Sequence, residues 1–199
     1  MVIQPLLMIR LAAIATGVMV LWMMQRDHKK EKSEAFLSLL TTWVLAFIGA
    51  KVVTRWDLLL EYPISVLSYP SGTSELYIAM VVTIVVEWRK RYEHSRYSES
   101  SLLVFATSFL GFALLQQLLL NQGDLVDMIF AFIFFILVLF IGRVSLSIAI
   151  ISTVGAMLAV ISQSPGLMGY RIDGWFYVMI SFIVWSYIVL RRRIGERFT

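Results

Sequence analysis

Long apolar stretches alternate with short polar segments along the whole chain. Each of seven such stretches approaches the roughly 20 residues that an α-helix needs to cross about 30 Å of hydrocarbon. Only IGRVS separates the fifth stretch from the sixth, so Gly142 and Arg143 are predicted to form a tight turn. The third stretch is the shortest, and a start nearer Leu67 remains open. We predict helices over residues 5–24, 35–54, 74–88, 101–120, 125–142, 144–162 and 175–190.

The polar segments fall into two kinds, basic segments and turn-rich segments. All but four of the 17 Lys and Arg residues lie in four segments. These segments lie between the first and second helices, between the third and fourth, between the fifth and sixth, and at the end of the seventh and beyond. Basic residues favour the cytoplasmic side of a membrane. With an odd number of helices, this bias predicts an N-terminus outside and a cytoplasmic C-terminus. The basic residues elsewhere are Arg10, Lys51, Arg55 and Arg171.

The turn-rich segments are therefore predicted outside loops. The first, RWDLLLEYPISVLSYPSGTSE, contains Pro63, Pro70 and Gly72, which interrupt helices. The second is NQGDLVD, and the third is SQSPGLMGYRIDG, in which Arg171 and Asp173 are expected to be solvated.

Composition supports a membrane protein. The chain is 59% hydrophobic and only 15% charged, with a mean hydropathy of +0.81. A water-soluble domain of 199 residues could not bury that much apolar surface. No hydrophilic linker divides the chain. We therefore predict an all-α, polytopic integral membrane protein with a single membrane domain over residues 1–199.

Several kinds of chemistry are excluded or disfavoured by the residues. The chain has no cysteine, and its two histidines, His28 and His94, both lie in predicted cytoplasmic segments. Metalloprotease, serine hydrolase, phosphate-loop and dinucleotide motifs are missing from the sequence. We expect no metal site and no cofactor. The basic residues cluster beside predicted helices, so they indicate contact with anionic lipid headgroups and no nucleic-acid partner.

Three basic residues inside or at the ends of apolar stretches are candidate ligands for a lipid phosphate. A guanidinium group matches phosphate oxygens with two parallel hydrogen bonds, and Arg10 lies within the first helix. Lys51 and Arg55 are one turn apart on one helix face, where an anion could bridge them. Asp57, Glu61 or a lipid phosphate could supply that anion. The alternative for all three is a side chain that extends to the headgroups.

Four further polar side chains are candidates to line a cavity: Glu61, Glu75, Gln116 and Gln117. Glu75 is either an acid favoured by the dipole at a helix N-terminus or an inward-facing polar group. We expect Gln116 and Gln117, deep in the fourth helix, to form hydrogen bonds between helices.

The first half of the chain also carries an ordered set of short motifs. MIRLAAIATG begins the first helix with an Ile-Arg pair, a basic loop follows, and the second helix ends in IGAK with Lys51. EYPISVLSYPSG then combines prolines, aliphatic residues, an aromatic and a glycine. This order resembles the bacterial prolipoprotein diacylglyceryl transferases. In that family the residue at Lys51 is an arginine.

The resemblance implies seven helices, an outside N-terminus and a bacterial cytoplasmic membrane as the location. It also implies transfer of a diacylglyceryl group from phosphatidylglycerol to a cysteine thiol. The family's His-Gly-Gly corresponds here to SELYIAM, and its glycine- and asparagine-rich signature to LLQQLLLNQGD. The hypothesis is therefore a divergent member that binds phospholipid, with catalysis weakened or lost. The alternatives are an active transferase of lipoprotein biogenesis and a non-enzymatic structural protein or binder of another membrane protein. The oligomeric state is left open.

Overall fold

The fold is all-α, as the sequence predicted. A computed structural model describes residues 5–25, 27–61, 72–89 and 97–195. It contains seven helices of 17 to 26 residues and a helix of six residues, joined to one short hairpin of two strands. The helices are α1 Pro5–Met24, α2 Lys29–Thr54, α3 Trp56–Glu61, α4 Thr73–Arg89, α5 Ser98–Leu120, α6 Leu125–Ile141, α7 Val144–Ile161 and α8 Gly174–Gly195.

Five helices are long and apolar enough to cross a membrane: α1, α2, α5, α7 and α8 up to Arg191. The 17-residue α6 is apolar but shorter. Large aliphatic and aromatic side chains cover the outer surfaces of these helices; Val160, for example, is 86% exposed. Hydrocarbon solvates such surfaces without cost, as in a multi-pass membrane protein.

Most predicted boundaries agree with the observed ones within three residues. The α6–α7 division is confirmed: Gly142 ends α6 with a φ of 62°, a left-handed conformation that glycine adopts without steric cost. The second helix starts at Lys29 instead of residue 35, and the last one continues to Gly195. The prediction of the first outside loop was wrong over Trp56–Glu61, because these residues form the helix α3. The rest of that loop, residues 62–71, lies outside the described residues.

The chain divides into two compact units. Unit one comprises Met1–Asp27 and Glu99–Thr199, and unit two comprises His28–Ser98. The single-domain assignment stays a prediction, and the two units are described separately below.

In unit one, small residues let helices approach closely. Gly17 of α1 faces Ser108 of α5, and Gly111 of α5 lies against Thr16. Gly155 of α7 contacts the Tyr177 ring of α8. Close backbone approach of this kind is the usual way in which membrane helices gain packing contacts.

Polar side chains also connect α7 to α8. The hydroxyl groups of Thr153 and Ser181 are 2.8 Å apart, and Trp185 Nε1 donates to Thr153 Oγ1 at 3.2 Å. Such bonds contribute about 0.6 kcal/mol each on average in membrane proteins. They therefore fix the register of the two helices more than they add stability.

A short hairpin replaces part of the third predicted outside loop. Strand β1, Gly166–Leu167, pairs with β2, Tyr170–Arg171, in antiparallel register. Met168 and Gly169 form the turn with φ values of 47° and 85°. Positive φ at both central positions defines the type I′ turn that two-residue hairpins favour.

In unit two, α2 and α4 pack along each other. Ala50, Leu76 and Ala79 are buried. The C-terminal end of α2 and the N-terminal end of α4 each carry a buried charged side chain, Lys51 and Glu75.

Candidate functional site

Glu75 is the centre of a polar cluster in unit two. It is the third residue of α4, and its side chain reaches back so that Gly72 N–H donates to Oε2 at 2.7 Å. This is half of a capping box, which satisfies an otherwise unpaired donor at a helix start. Thr54 Oγ1 of α2 donates to Oε1 at 3.2 Å. Glu75 is only 3% exposed, so it is both the first-turn acid and the inward-facing group that the sequence offered as alternatives.

Two basic residues, Lys51 and Arg55, lie at the C-terminal end of α2 near this cluster. Arg55 Nε lies 3.7 Å from Glu75 Oε1, and the arginine side chain is 43% exposed. Lys51, one turn earlier, is 8% exposed, and its Nζ lies 5.9 Å from the centre of the Phe47 ring. An ammonium group at that distance is attracted to the ring face. A carboxylate beside Arg55 is thus that of Glu75. The Glu61 side chain lies outside the described residues.

Arg10 contacts the hairpin of unit one. Its Nε donates to the Met168 carbonyl at 3.0 Å and its Nη1 to the Tyr170 hydroxyl at 3.1 Å. The guanidinium carbon also lies 4.5 Å from the centre of the Tyr170 ring. Arg10 therefore holds the turn of the hairpin against α1. This structural role was in neither of the two alternatives considered for Arg10, and it uses donors that a phosphate would need.

Replacing Arg10 with lysine is expected to loosen the hairpin. Lysine carries no planar fork of donors, so it cannot keep both bonds in the same geometry. Loss of a hydrogen bond from a charged donor corresponds to about ten-fold faster local opening or more. Hydrogen exchange of a peptide spanning residues 166–171 measures this opening. Arg171→Lys, an exposed change on the same hairpin, is the matched control and should leave the exchange rate unchanged; equal rates in both variants would contradict the role of Arg10.

The amide side chains of Gln116 and Gln117 bind the loop that follows α5. Gly123 N–H donates to Gln117 Oε1 at 2.8 Å, and Gln117 Nε2 donates to Asn121 Oδ1 at 3.2 Å. Gln116 Nε2 donates to the Gln122 carbonyl at 3.4 Å. These bonds run to the loop after the helix and not to a neighbouring helix, contrary to the expectation. Gln116 also borders a cleft.

That cleft, which we call the hairpin cleft, has a volume of about 460 Å³. It lies between the loop after α5, the start of α6 and the hairpin, all within unit one. Its lining combines glycines, carboxylates, amides, a leucine, a tyrosine and an arginine: Gln116, Gln122, Gly123, Asp124, Leu125, Asp127, Gly166, Gly169, Tyr170 and Arg171.

Sequence reasoning overlooked both carboxylates of the hairpin cleft. Asp124 caps α6, because its Oδ1 accepts a hydrogen bond from Val126 N–H at 3.0 Å. Gly166 N–H donates to Asp127 Oδ1 at 2.7 Å, which fastens β1 to α6. The signal was the spacing of two acids, three residues apart, around a helix start. That spacing predicts a cap, but it does not predict the partner 39 residues away.

The candidate phosphate ligands thus fall into both units. Arg55 pairs with Glu75 in unit two, with Lys51 one turn earlier on α2, whereas Arg10 belongs to unit one and is bound to the hairpin there. The chain matches no protein-family model, no curated protein and no solved structure. The likeness to the prolipoprotein diacylglyceryl transferases therefore rests on the sequence motifs alone.

Proposed function

We propose that this chain is a seven-span protein of a bacterial cytoplasmic membrane, resembling prolipoprotein diacylglyceryl transferases, that binds an anionic phospholipid without carrying out their reaction. The headgroup site is the cluster of Lys51, Arg55 and Glu75 at the end of α2, which the predicted topology puts at the outer surface. The observation that carries the proposal is the burial of Lys51, which is 8% exposed at a position one turn from Arg55.

Exposure distinguishes a headgroup site from side chains that merely extend to water. A lysine that extends along apolar surface keeps its ammonium group hydrated. Arg55, at 43% exposure, fits that behaviour, but Lys51 does not. A charge kept away from water needs opposite charge nearby. Lys51 and Arg55 bring two positive charges to this end of α2, a charge distribution that a phosphate diester complements.

Loss of catalysis is the second element of the proposal. Transfer to a thiol requires a base to take the thiol proton and cationic groups to stabilise the leaving phosphate. The chain's two histidines lie in predicted cytoplasmic segments, and SELYIAM replaces the family's His-Gly-Gly. Arg10, the cation that the resemblance would put near the headgroup, instead donates to Met168 and Tyr170.

The double variant Lys51→Ala/Arg55→Ala is expected to lose bound phosphatidylglycerol. Charge-assisted bonds to a phosphate are strong, so removing both cations should lower the co-purified lipid about ten-fold or more. Lipid extracted from purified protein and quantified by mass spectrometry measures the loss. Lys30→Ala/Arg89→Ala removes two exposed basic groups from the same unit and serves as the matched control. Equal lipid in both double variants would refute the site.

Complementation separates a binder from an enzyme. In a strain depleted of its own prolipoprotein diacylglyceryl transferase, expression of this chain should not restore growth. Restored growth would instead support the active transferase. Membrane localisation of the expressed chain, measured by fractionation, is the control that makes a failure to grow meaningful.

A further inference from the structure

The hairpin cleft of unit one is a second place where ligand chemistry converges, separate from the headgroup site of α2. Its volume of about 460 Å³ falls within the roughly 300–1,000 Å³ of small-molecule sites. A smaller cavity that shares Gln116 and Asp127 with the cleft is lined by the aromatic rings of Phe109 and Phe112. The cleft therefore combines a charged lining with an apolar neighbourhood.

One carboxylate oxygen in the cleft is available to a ligand. Asp127 is half-buried, and its Oδ1 is fixed by Gly166 N–H. Its Oδ2 accepts no hydrogen bond from the part of the chain that the structure describes. A side chain at position 166 would crowd that oxygen, since a Cβ there would lie 3.0 Å from it. Glycine at 166 thus leaves Oδ2 open to the cleft.

The charges around Asp127 are of both signs. Asp124, at the other side of the first turn of α6, is close enough to repel Asp127. Arg171 of β2 is close enough to attract it, yet forms no ion pair within 4 Å among the described residues. A ligand that fits this arrangement carries a cation for Asp127 and an anion for the guanidinium.

The apolar edge of the cleft indicates an amphiphilic ligand. Leu125 lines the cleft and is 68% exposed, at the start of a helix whose next residues are almost wholly apolar. A headgroup in the cleft could therefore continue into acyl chains along the surface of α6. The cleft also lies at the end of unit one away from the Gly142 turn, where the predicted topology puts the outer headgroup layer.

We propose that the hairpin cleft binds the phosphoethanolamine headgroup of a phospholipid, with its primary ammonium at Asp127 and its phosphate at Arg171. Asp124 contributes its negative charge, since its two oxygens accept from Val126 N–H and Gln163 Nε2. A primary ammonium has three N–H donors, and one of them would occupy Asp127 Oδ2. The trimethylammonium group of phosphocholine has the same charge and no donor, so it would leave that oxygen without a hydrogen bond.

The experiment compares phosphatidylethanolamine with phosphatidylcholine of identical acyl chains. The full chain is placed in nanodiscs that contain equal amounts of both lipids, and the lipids retained by the released protein are quantified by native mass spectrometry. The wild-type chain should retain phosphatidylethanolamine about ten-fold over phosphatidylcholine, the effect of one charge-assisted hydrogen bond. Equal retention of the two lipids would overturn the proposal.

Variants assign the two charges of the headgroup. Asp127→Asn keeps an acceptor for Gly166 N–H and should abolish the preference, whereas Arg171→Gln should lower retention of both lipids. Asp173→Asn, an exposed change in the same loop, should do neither. If Asp127→Asn fails to fold, Arg171→Gln tests the proposal instead, because the Arg171 side chain is exposed and its replacement should not disturb folding. Unchanged lipid retention by Arg171→Gln would overturn the proposal. The Lys51→Ala/Arg55→Ala variant should keep the preference, which separates this site from the headgroup site of α2.

Two further arms distinguish other ligands. Free phosphoethanolamine, added at the concentration of the bound lipid, should not displace it; displacement would overturn the lipid as the source of the headgroup. Ca²⁺ alone should bind no more tightly to the wild-type chain than to Asp127→Asn. A calcium affinity that depends on Asp127, without a lipid preference, would make the cleft a cation site and overturn the proposal.

Discussion

Replacing Gly17 with valine is expected to prevent stable folding of unit one. At this position even a Cβ atom would overlap the Ser108 hydroxyl and lie 2.7 Å from the Val104 carbonyl oxygen. The hydroxyl can rotate, but the carbonyl belongs to the backbone of α5 and cannot yield without moving the helix. Overpacking of this kind costs about 1–3 kcal/mol for a small addition, and a branched side chain adds more. Folded yield and thermal unfolding in detergent measure the effect, with Gly17→Ala as the milder variant.

Gly49→Ala is the matched control for Gly17→Ala. Gly49 lies within α2, and a Cβ there would meet no heavy atom within 4 Å. Alanine favours a helix over glycine by about 0.5–1 kcal/mol, so this variant should be neutral or slightly more stable than the wild type. Equal unfolding temperatures for Gly17→Ala and Gly49→Ala would contradict the close approach of α1 and α5.

Ser108 provides a second check on the same contact. Its hydroxyl is buried and has no hydrogen-bond partner among the described residues. Ser108→Ala should therefore be neutral or stabilising by itself, since it removes an unsatisfied polar group. In the Gly17→Ala background it should restore part of the stability, because it removes one of the two overlaps. A double-mutant cycle measures this coupling.

The helices were predictable because each apolar run ends at charged or turn-forming residues. Pro5–Met24 agrees with its prediction at both ends, and Gly142 divides α6 from α7 as IGRVS indicated. The start of α2 was missed for a physical reason. The segment KKEKSE is polar, so hydropathy assigns it to a loop, but Lys and Glu favour helices and continue α2 into water.

The contacts within the candidate sites could not be predicted from local sequence patterns in the same way. A basic residue in an apolar stretch indicates that it has a polar partner, but it does not identify that partner. The partners of Arg10 lie 158 and 160 positions away in the sequence. Glu75 was recognised as a helix-start acid, which is a local property. Its bond to Thr54 and its pairing with Arg55 depend on how α4 packs on α2, which no local pattern contains.

Replacing Glu75 with alanine is expected to destabilise unit two by about 2–3 kcal/mol, mainly through lost hydrogen bonds. The bonds from Gly72 N–H and Thr54 Oγ1 are each worth about 1 kcal/mol, and their donors would be left without this acceptor. The ion pair with Arg55 adds at most about 1 kcal/mol, because that arginine is 43% exposed and solvent screens it. Glu75→Gln, which keeps one acceptor oxygen, should lose about half as much.

Glu99→Ala is the control for this change, because Glu99 is also a glutamate in the first turn of a helix but is exposed. Its removal should cost at most a few tenths of a kcal/mol, the contribution of the helix dipole at a hydrated surface. Chemical unfolding followed through hydrogen exchange compares the three variants, with peptides from α2 and α4 for the two Glu75 variants and peptides from α5 for Glu99→Ala, which belongs to unit one. A loss for Glu99→Ala as large as that for Glu75→Ala would mean that both acids act through the helix dipole alone. The buried cluster that joins α2 to α4 would then contribute nothing to stability.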